Sequence, residues 1–459
     1  MSDALVHDVL GQLGRTKRGD DSLTLTGGSD PVFPTPWRIG LAGSAALGAV
    51  GLAVSDLWRL RTGKPQGVGI DLRAAAASLR SNTYVRRNGE KPVSWDPLAG
   101  HYPTRDGRTM FLHTNHPHHR VGALSISGAK AETREALADA VAKWDGLAIE
   151  EAIAAGNCVG GLVRSRDEWN AHPHGIAVAR LPLIDMVKIG EAPTRPLPKG
   201  DRPLSGVRAL DLTRVLAGPT SGRVLAENGA EVLHIAAQHL PYQTEILMDT
   251  GHGKRCAWLD LREPAGVETL NGLVRQADVF TQGYRPGTLA ARGFSPERLA
   301  ELRPGIVCVS ICAYGHEGPW ASRRGFDSIV QNVTGLSATQ GTLEKPRNMP
   351  VQANDYVAGY LAALGAMVGL ARRTEQGGSW LVRVSLVQVA HWIASLGTVD
   401  ASKGAAELSD DELASLITES VGPFGRLNHL RPIVQLSETP AFYARPAEPL
   451  GSSPARWSS

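Results

Sequence analysis

The chain nearly repeats itself. Residues 45–53 read AALGAVGLA, and residues 362–371 read AALGAMVGLA; each copy then reaches an Arg-Thr pair, Arg61-Thr62 or Arg373-Thr374. A short β-like run follows in both places, GVGIDL ending at Leu72 and LVRVSL ending at Leu386. The repeated unit is therefore a long helix, a turn and a strand. A stretch that is apolar and rich in Gly and Ala around its whole circumference belongs inside a core, so the fold must find an interior for two such helices.

At 459 residues the chain exceeds what one hydrophobic core serves, and two or three domains are expected. The formal charge of +3 is small for this length, and Lys and Arg are scattered. That speaks against nucleic acid as a partner and suits an anionic small molecule. Cys158, Cys256, Cys308 and Cys312 have no paired CxxC spacing, so neither a disulfide framework nor a metal site is indicated. No basic, apolar leader opens the sequence, and the apolar run at residues 39–54 reads as shorter than a membrane span and as a buried helix. A soluble cytoplasmic protein with no membrane partner is expected.

The organisation then reads as follows. Residues 1–35 form an amino-terminal extension, and 36–85 carry the first repeat, resembling 355–396. Residues 86–195 form a smaller α+β domain, with a hairpin-like stretch HYPTRDGRTMFLH and helices at 132–143 and 148–155. The Pro- and Gly-dense stretch ending at Gly206 gives a linker over 196–206. From 207 to 396, apolar runs alternate with helical segments, which argues for a doubly wound, parallel, Rossmann-like α/β sheet, because parallel strands require crossover helices. Residues 397–459 are a Pro-punctuated segment expected to wrap another part of the protein.

The loop after the first strand of that sheet reads TRVLAGPTSG and lacks the GxGxxG spacing of a dinucleotide site; no Walker loop is present either. The histidine-rich HTNHPHH, residues 113–119, reads as a solvated loop.

The segments LDLTRVLAGP, GKRCAWLDL, YRPGTLAARGF, SICAYGHEGPW and RRGFDSIVQNVTGL follow one another in an order that resembles family III (CaiB/BaiF) CoA-transferases. The resemblance runs from 207 to about 393, and residues 37–192 look like the later part of the same fold placed ahead of it. It implies a doubly wound CoA-binding domain plus a smaller α+β domain, joined by long helices and linkers. It also implies an aspartate nucleophile just before the long Gly/Ala-rich helix, which in QANDYVAGYLAALG is Asp355. A carboxylate at a helix start meets unpaired amides and the positive end of the macrodipole, which favours the anion that nucleophilic attack needs. Aligning the repeats puts Arg38 where Asp355 stands, so the first copy has no nucleophile.

The chemistry implied is an aspartyl anhydride, then an aspartyl-CoA thioester, then transfer to a carboxylic acid acceptor. Coenzyme A is a co-substrate, an acyl-CoA is the donor, and no permanently bound cofactor or metal is called for. For CoA, the resemblance points to Arg214, Val215, Leu216 and Ala217 against the adenosine part, then to Lys254, Arg255, Arg285 and Arg292 for the phosphates. Gly341 is a candidate for holding a developing oxyanion. Related transferases form interlaced dimers, which leaves room for a homodimer here.

Two rivals stand beside this reading. Alpha-methylacyl-CoA racemases share the fold but carry GHD, where this chain has Gly325-Phe326-Asp327; a racemase would need another base, such as His316 or His391. The other rival is a catalytically silent CoA-binding subunit.

Overall fold

The computed structural model describes residues 3–92 and 95–458. Its centre is a seven-stranded sheet whose strands, numbered in chain order, are β1 (Asp185–Gly190), β2 (Arg208–Leu212), β3 (Glu231–Ala236), β4 (Lys254–Trp258), β5 (Val279–Gln282), β6 (Val307–Cys312) and β7 (Ser379–Ser385). They lie in the order β4-β3-β2-β5-β6-β7-β1, all pairs parallel except β7 with β1. The chain winds outward from β2 to β4, then crosses back to β5 and winds the other way. The crevice of such a sheet opens at the carboxyl ends of β2 and β5, where the winding reverses. The antiparallel edge strand β1 departs from the expected domain boundary. It belongs by sequence to the small domain, yet it closes the edge of the large sheet.

Five helices position the site: α1 (Ile39–Thr62), α2 (Pro117–Ser127), α3 (Ala217–Glu227), α4 (Asp327–Val333) and α5 (Ala353–Gln376). Helix α5 is enclosed by α3, by α1 and by strands β6 and β7. Its glycines make this possible. A Cβ at Gly359 would stand 2.6 Å from the Ala217 carbonyl oxygen, and one at Gly365 would stand 2.4 Å from Val382 Cγ1. The helix therefore approaches both layers at backbone distance.

The two repeats have the same local plan with unequal surroundings. Helix α1 ends at Gly63 in the left-handed conformation (φ 78°) and leads to the strand Val68–Asp71 and the helix Leu72–Ser78. Helix α5 ends at Gly377 and leads to β7 and the helix Leu386–Ser395. The first copy's strand sits in a separate three-stranded sheet with Leu23–Thr26 and Gln435–Leu436. At its amino end α1 has a carboxylate supplied from outside, since Asp30 accepts the Gly40 and Leu41 N–H groups at 2.9 and 2.8 Å.

Helix α1 runs to Thr62, longer than the apolar run suggested, and is long and apolar enough to cross a membrane; 94% of its apolar window is buried inside the protein. Burial, not length, makes it a core helix. The linker is pinned to the first repeat by Arg61, whose guanidinium donates to the Pro203 and Ser205 carbonyls at 2.8 and 2.6 Å.

The small domain has its own three-stranded antiparallel sheet (Gly100–Pro103, Thr109–Leu112, Gly160–Leu162) and its own core, with Tyr102, Met110, Leu137 and Ile149 buried. The carboxyl-terminal segment forms a hairpin (Ile417–Gly422 with Gly425–Leu430) and then runs along β4, where Ser453 N–H donates to the Cys256 carbonyl at 2.9 Å.

A buried polar network joins the parts. Asp249 accepts from Arg223 Nη1 at 2.7 Å, Ser81 Oγ at 2.7 Å and Tyr356 Oη at 3.0 Å. Ser81 lies near the end of the first repeat segment, Arg223 belongs to α3, and Tyr356 is the neighbour of Asp355 on α5. Arg223 is 6% exposed and Asp249 1%, so this ion pair is shielded from water and each partner depends on the other.

Candidate active site

A cleft of about 340 Å³ opens at the reversal point of the sheet. Its lining includes the loop from Arg214 to Gly218 after β2, Tyr284 and Arg285 after β5, the 323–326 loop that leads into α4, and Asp355 in the first turn of α5. Val215 lies in this lining with φ 66°, in the left-handed region. That conformation is unusual for a β-branched residue and marks a turn held in shape by its surroundings.

Asp355 is buried, and its surroundings reverse the expected charge state. Burial is the main cause that holds its carboxyl well above the ordinary range, and the charge of Asp327 adds to it. Asp327, the first residue of α4, accepts the Asp355 N–H on Oδ2 at 2.9 Å and a bond from Gln331 Nε2 on Oδ1. Burial raises Asp327 to about 6, against these hydrogen bonds, which favour its anion. Two buried carboxyls that feel each other titrate as a pair. Asp327 has the hydrogen-bond donors, so Asp327 keeps the charge and Asp355 keeps the proton. The helix terminus at α5 does not overcome burial and a like charge together.

This has a kinetic consequence. The carboxylate fraction at Asp355 grows as pH rises, so a reaction that needs its anion is expected to show an acidic limb above the usual carboxylate range. In Asp327→Asn the like charge is gone while burial remains, and that limb is expected to move to lower pH. A limb unchanged in the pH–rate profile would show that Asp327 does not set it.

The basic residues divide. Arg214, Arg285 and Arg292 line the cleft together with Val215, Leu216 and Ala217. Their guanidiniums donate to carbonyl or amide oxygens: Arg214 to Pro241, Arg285 to Asn157 Oδ1 and Ser322 at 3.4 and 3.3 Å, and Arg292 to Leu261 at 3.0 Å. None of the three has a carboxylate partner among the described residues, so their charge remains available to an anion.

Lys254 and Arg255 are engaged in internal ion pairs. Lys254 is 1% exposed; its Nζ bonds Asp211 Oδ2 at 2.8 Å and the Pro219 carbonyl at 2.7 Å. Burial alone would raise Asp211, but Lys254 and His234 hold it well below the usual range. Arg255 pairs with Glu231 at 3.2 Å and donates to the Arg456 carbonyl at 2.8 Å, tying down the carboxyl-terminal segment. Arg255 does not border the cleft, whereas Lys254 lines a smaller adjoining pocket that shares Arg214 and Val215 with it. Gly341 is also elsewhere. It caps the helix Leu336–Gln340, and its N–H is used on the Ser337 carbonyl at 3.0 Å.

The histidine stretch is a further correction. His113, His116 and His119 are buried, and they pack around the side chain of Phe326. His113 stacks on that ring at 4.3 Å between centroids, with His116 at 5.4 Å and His119 at 6.0 Å. His116, His118 and His119 line the cleft with Phe326 and Asp355. Burial, followed by mutual repulsion and nearby arginines, pushes His116 down to about 4 and lowers His118 and His119 as well, so the wall is neutral at neutral pH. No group of three His, Cys, Asp or Glu residues arranged to hold a metal occurs among the described residues. Arg262, Arg323, Arg324 and His239 also line the cleft without having been singled out from the sequence. His316 and His391, the alternative bases, lie outside it.

The mixed α/β fold around a mostly parallel seven-stranded sheet is consistent with CoA-transferase family III. Residues 204–419 match CoA-transferase family III. An acetyl-coenzyme A transferase of Hypoxylon pulicicidum is 28% identical over 436 residues, 82% of this chain and 72% of that protein. An acyl-CoA transferase of Gibberella moniliformis is 33% identical over 270 residues, 55% of this chain and 47% of that one. A crystal structure of a Mycobacterium tuberculosis protein is 30% identical, covering 43% of this chain and 59% of that one, with a TM-score of 0.40. Apart from the Hypoxylon protein, the chain spans about half the length of the curated relatives it matches.

Proposed function

We propose that this chain is an acyl-CoA:carboxylate CoA-transferase with Asp355 as its covalent nucleophile. One observation carries the reading: a carboxyl on the first turn of α5 borders a cleft that also presents Arg214, Arg285 and Arg292, which have no carboxylate partner among the described residues. Relatives bear names such as succinyl-CoA–D-citramalate CoA-transferase and succinyl-CoA:glutarate CoA-transferase, which agree with a carboxylic acid acceptor.

The Asp355 carboxylate attacks the thioester carbonyl; the C–S bond breaks and CoA leaves as the thiolate. The product is an acyl-aspartyl anhydride. The thiolate then attacks the Asp355 carbonyl, releasing the acyl carboxylate and leaving an aspartyl-CoA thioester. An acceptor carboxylate reverses both steps, so the thioester energy is kept. Ala217 and Gly218 lie in the first turn of α3, where backbone N–H groups have no partner within the helix, and they border the cleft. They are suited to hold the oxyanions that develop at each addition. Arg214, Arg285 and Arg292 are suited to the phosphates of CoA.

Incubation with a panel of acyl-CoAs followed by hydroxylamine is expected to place a hydroxamate on Asp355, read by mass spectrometry of the peptide. A panel that leaves Asp355 unmodified while CoA binds would favour a silent CoA-binding subunit. The racemase reading loses the bases named for it, because Phe326 cannot carry a proton and neither His316 nor His391 lines the cleft.

A further inference from the structure

We propose that Gln331 is a positioning residue of this site: clamped by the backbone just ahead of α5, its amide holds the Asp327 carboxylate against the N–H of Asp355 and through it governs the nucleophile. The inference rests on the transferase reading and adds to it a residue outside the cleft lining.

Gln331 stands one turn after Asp327 on α4, on the same face of the helix, and both side chains are buried. The Met349 N–H donates to Gln331 Oε1 at 2.7 Å. A backbone N–H can only donate, so the amide oxygen is fixed on that side and the nitrogen on the other. Nε2 then donates to Asp327 Oδ1 and to the Val351 carbonyl at 3.3 Å. Turning the amide over would set donor against donor at Met349 and oxygen against oxygen at Val351 and Asp327. Met349 and Val351 belong to the segment that enters α5 at Ala353. One amide therefore ties α4 to the start of the helix that carries the nucleophile. The second oxygen of Asp327, Oδ2, accepts the Asp355 N–H at 2.9 Å, which completes a relay from the 349–351 backbone through Gln331 and Asp327 to Asp355.

The relay has an electrostatic side. Burial is the largest influence on Asp327 and disfavours its charge; among the bonds that oppose it, the one from Gln331 comes first, ahead of the backbone N–H groups of Asp355 and Asn354. The titratable group that faces Asp327 across this contact is Asp355 on α5, which its charge repels; Gln331, Met349 and Val351 are neutral. Without the Gln331 donor, Asp327 takes up its proton at higher pH, its repulsion of Asp355 fades, and Asp355 ionises more readily. The relay also has a geometric side. Without the clamp, the turn that carries Asp355 is no longer tied to α4, and small misplacements of a reacting group are costly in rate.

The test uses the full-length protein, a donor acyl-CoA that labels Asp355, and the pH–rate profile of hydroxamate formation in Gln331→Met, Asp327→Asn and the double variant. Gln331→Met is expected to move the acidic limb to lower pH, the direction expected of Asp327→Asn, and to lower the rate on the plateau by about 10-fold or more. The double variant is expected to keep the limb of Asp327→Asn with no further shift, because a neutral group at position 327 leaves Gln331 no charge to hold. Gln331→Asn, whose amide is one methylene too short to reach both Met349 and Asp327, is expected to shift the limb in the same direction, and it decides the question if circular dichroism shows that Gln331→Met does not fold. A rate that falls equally at every pH, with the limb fixed, overturns the proposal and leaves Gln331 a packing residue. A shift in the double variant that adds to that of Asp327→Asn also overturns it, since Gln331 would then act by another route. Both of those outcomes leave the hydroxamate on Asp355 in place; its absence in the unmodified protein sinks the transferase reading and this proposal with it.

Discussion

Asp355→Asn is expected to abolish hydroxamate formation and to lower the transfer rate by at least about 10⁴-fold, the scale seen when a covalent nucleophile is removed. The amide has the shape of the carboxyl but no anion to form an anhydride. The fold is expected to survive, and the pH dependence of stability distinguishes this loss from unfolding. Asp355 is raised in the folded state, so ionisation costs stability. In the parent, that contribution is fully present below the ordinary carboxyl value and is lost as pH rises through the raised one. The variant has no such loss, and its thermal midpoint at pH 8 should equal or exceed that of the parent. A variant that melts earlier at pH 8 would show that the residue supports the fold through its charge, and the kinetic loss would then say little about nucleophilicity.

The largest stability effect is expected at Asp249. Removing it as Asp249→Ala strands the buried Arg223 and takes the acceptor from Ser81 and Tyr356. Breaking one side of a buried pair costs about 3–5 kcal/mol, much of it the penalty of an uncompensated charge. Denaturant unfolding monitored by fluorescence would measure this. A double variant, Arg223→Met with Asp249→Leu, should lose less than Asp249→Ala alone, because neither charge is then stranded. A single variant within 1 kcal/mol of the parent would mean that water reaches the network. Since Tyr356 adjoins Asp355, the weakened network should also lower activity at temperatures where the protein remains folded.

These two positions illustrate what could be read from the sequence. Period and composition reveal the duplicated helix, since an all-apolar, Gly-rich run needs a core around it, and the alternation after residue 207 reveals the parallel sheet. The place of Asp355 at a helix start was equally legible. Its protonation was not, because Asp327 approaches from 28 residues away through a fold-dependent contact, and local pattern carries no trace of it. Lys254 shows the converse error. As a cation in a GKR element it resembles a phosphate ligand, but Gly222 has no side chain where its ammonium enters, 2.9 Å from where a Cβ would stand. Asp211 then completes an internal pair. The histidines misled for a related reason. A polar, Pro-containing stretch reads as a solvated loop, and only the return of Phe326 from 200 residues later supplies the aromatic partner that buries it. Edge strand β1 was hidden by its place at the end of residues 86–195, which read as the small domain, ahead of the linker at 196–206.

Helix α1 and helix α5 lie against each other as unequal twins, one opening on Arg38 and the other on Asp355. Only the second half of this internal pair is bound by the demands of chemistry. On the proposed mechanism each polypeptide has one nucleophile, and covalent capture by a mechanism-based reagent is expected to saturate at one equivalent per chain. The inert twin is free to diverge wherever its role as a wall for its partner is preserved, so substitutions should accumulate faster along it than along the reactive helix.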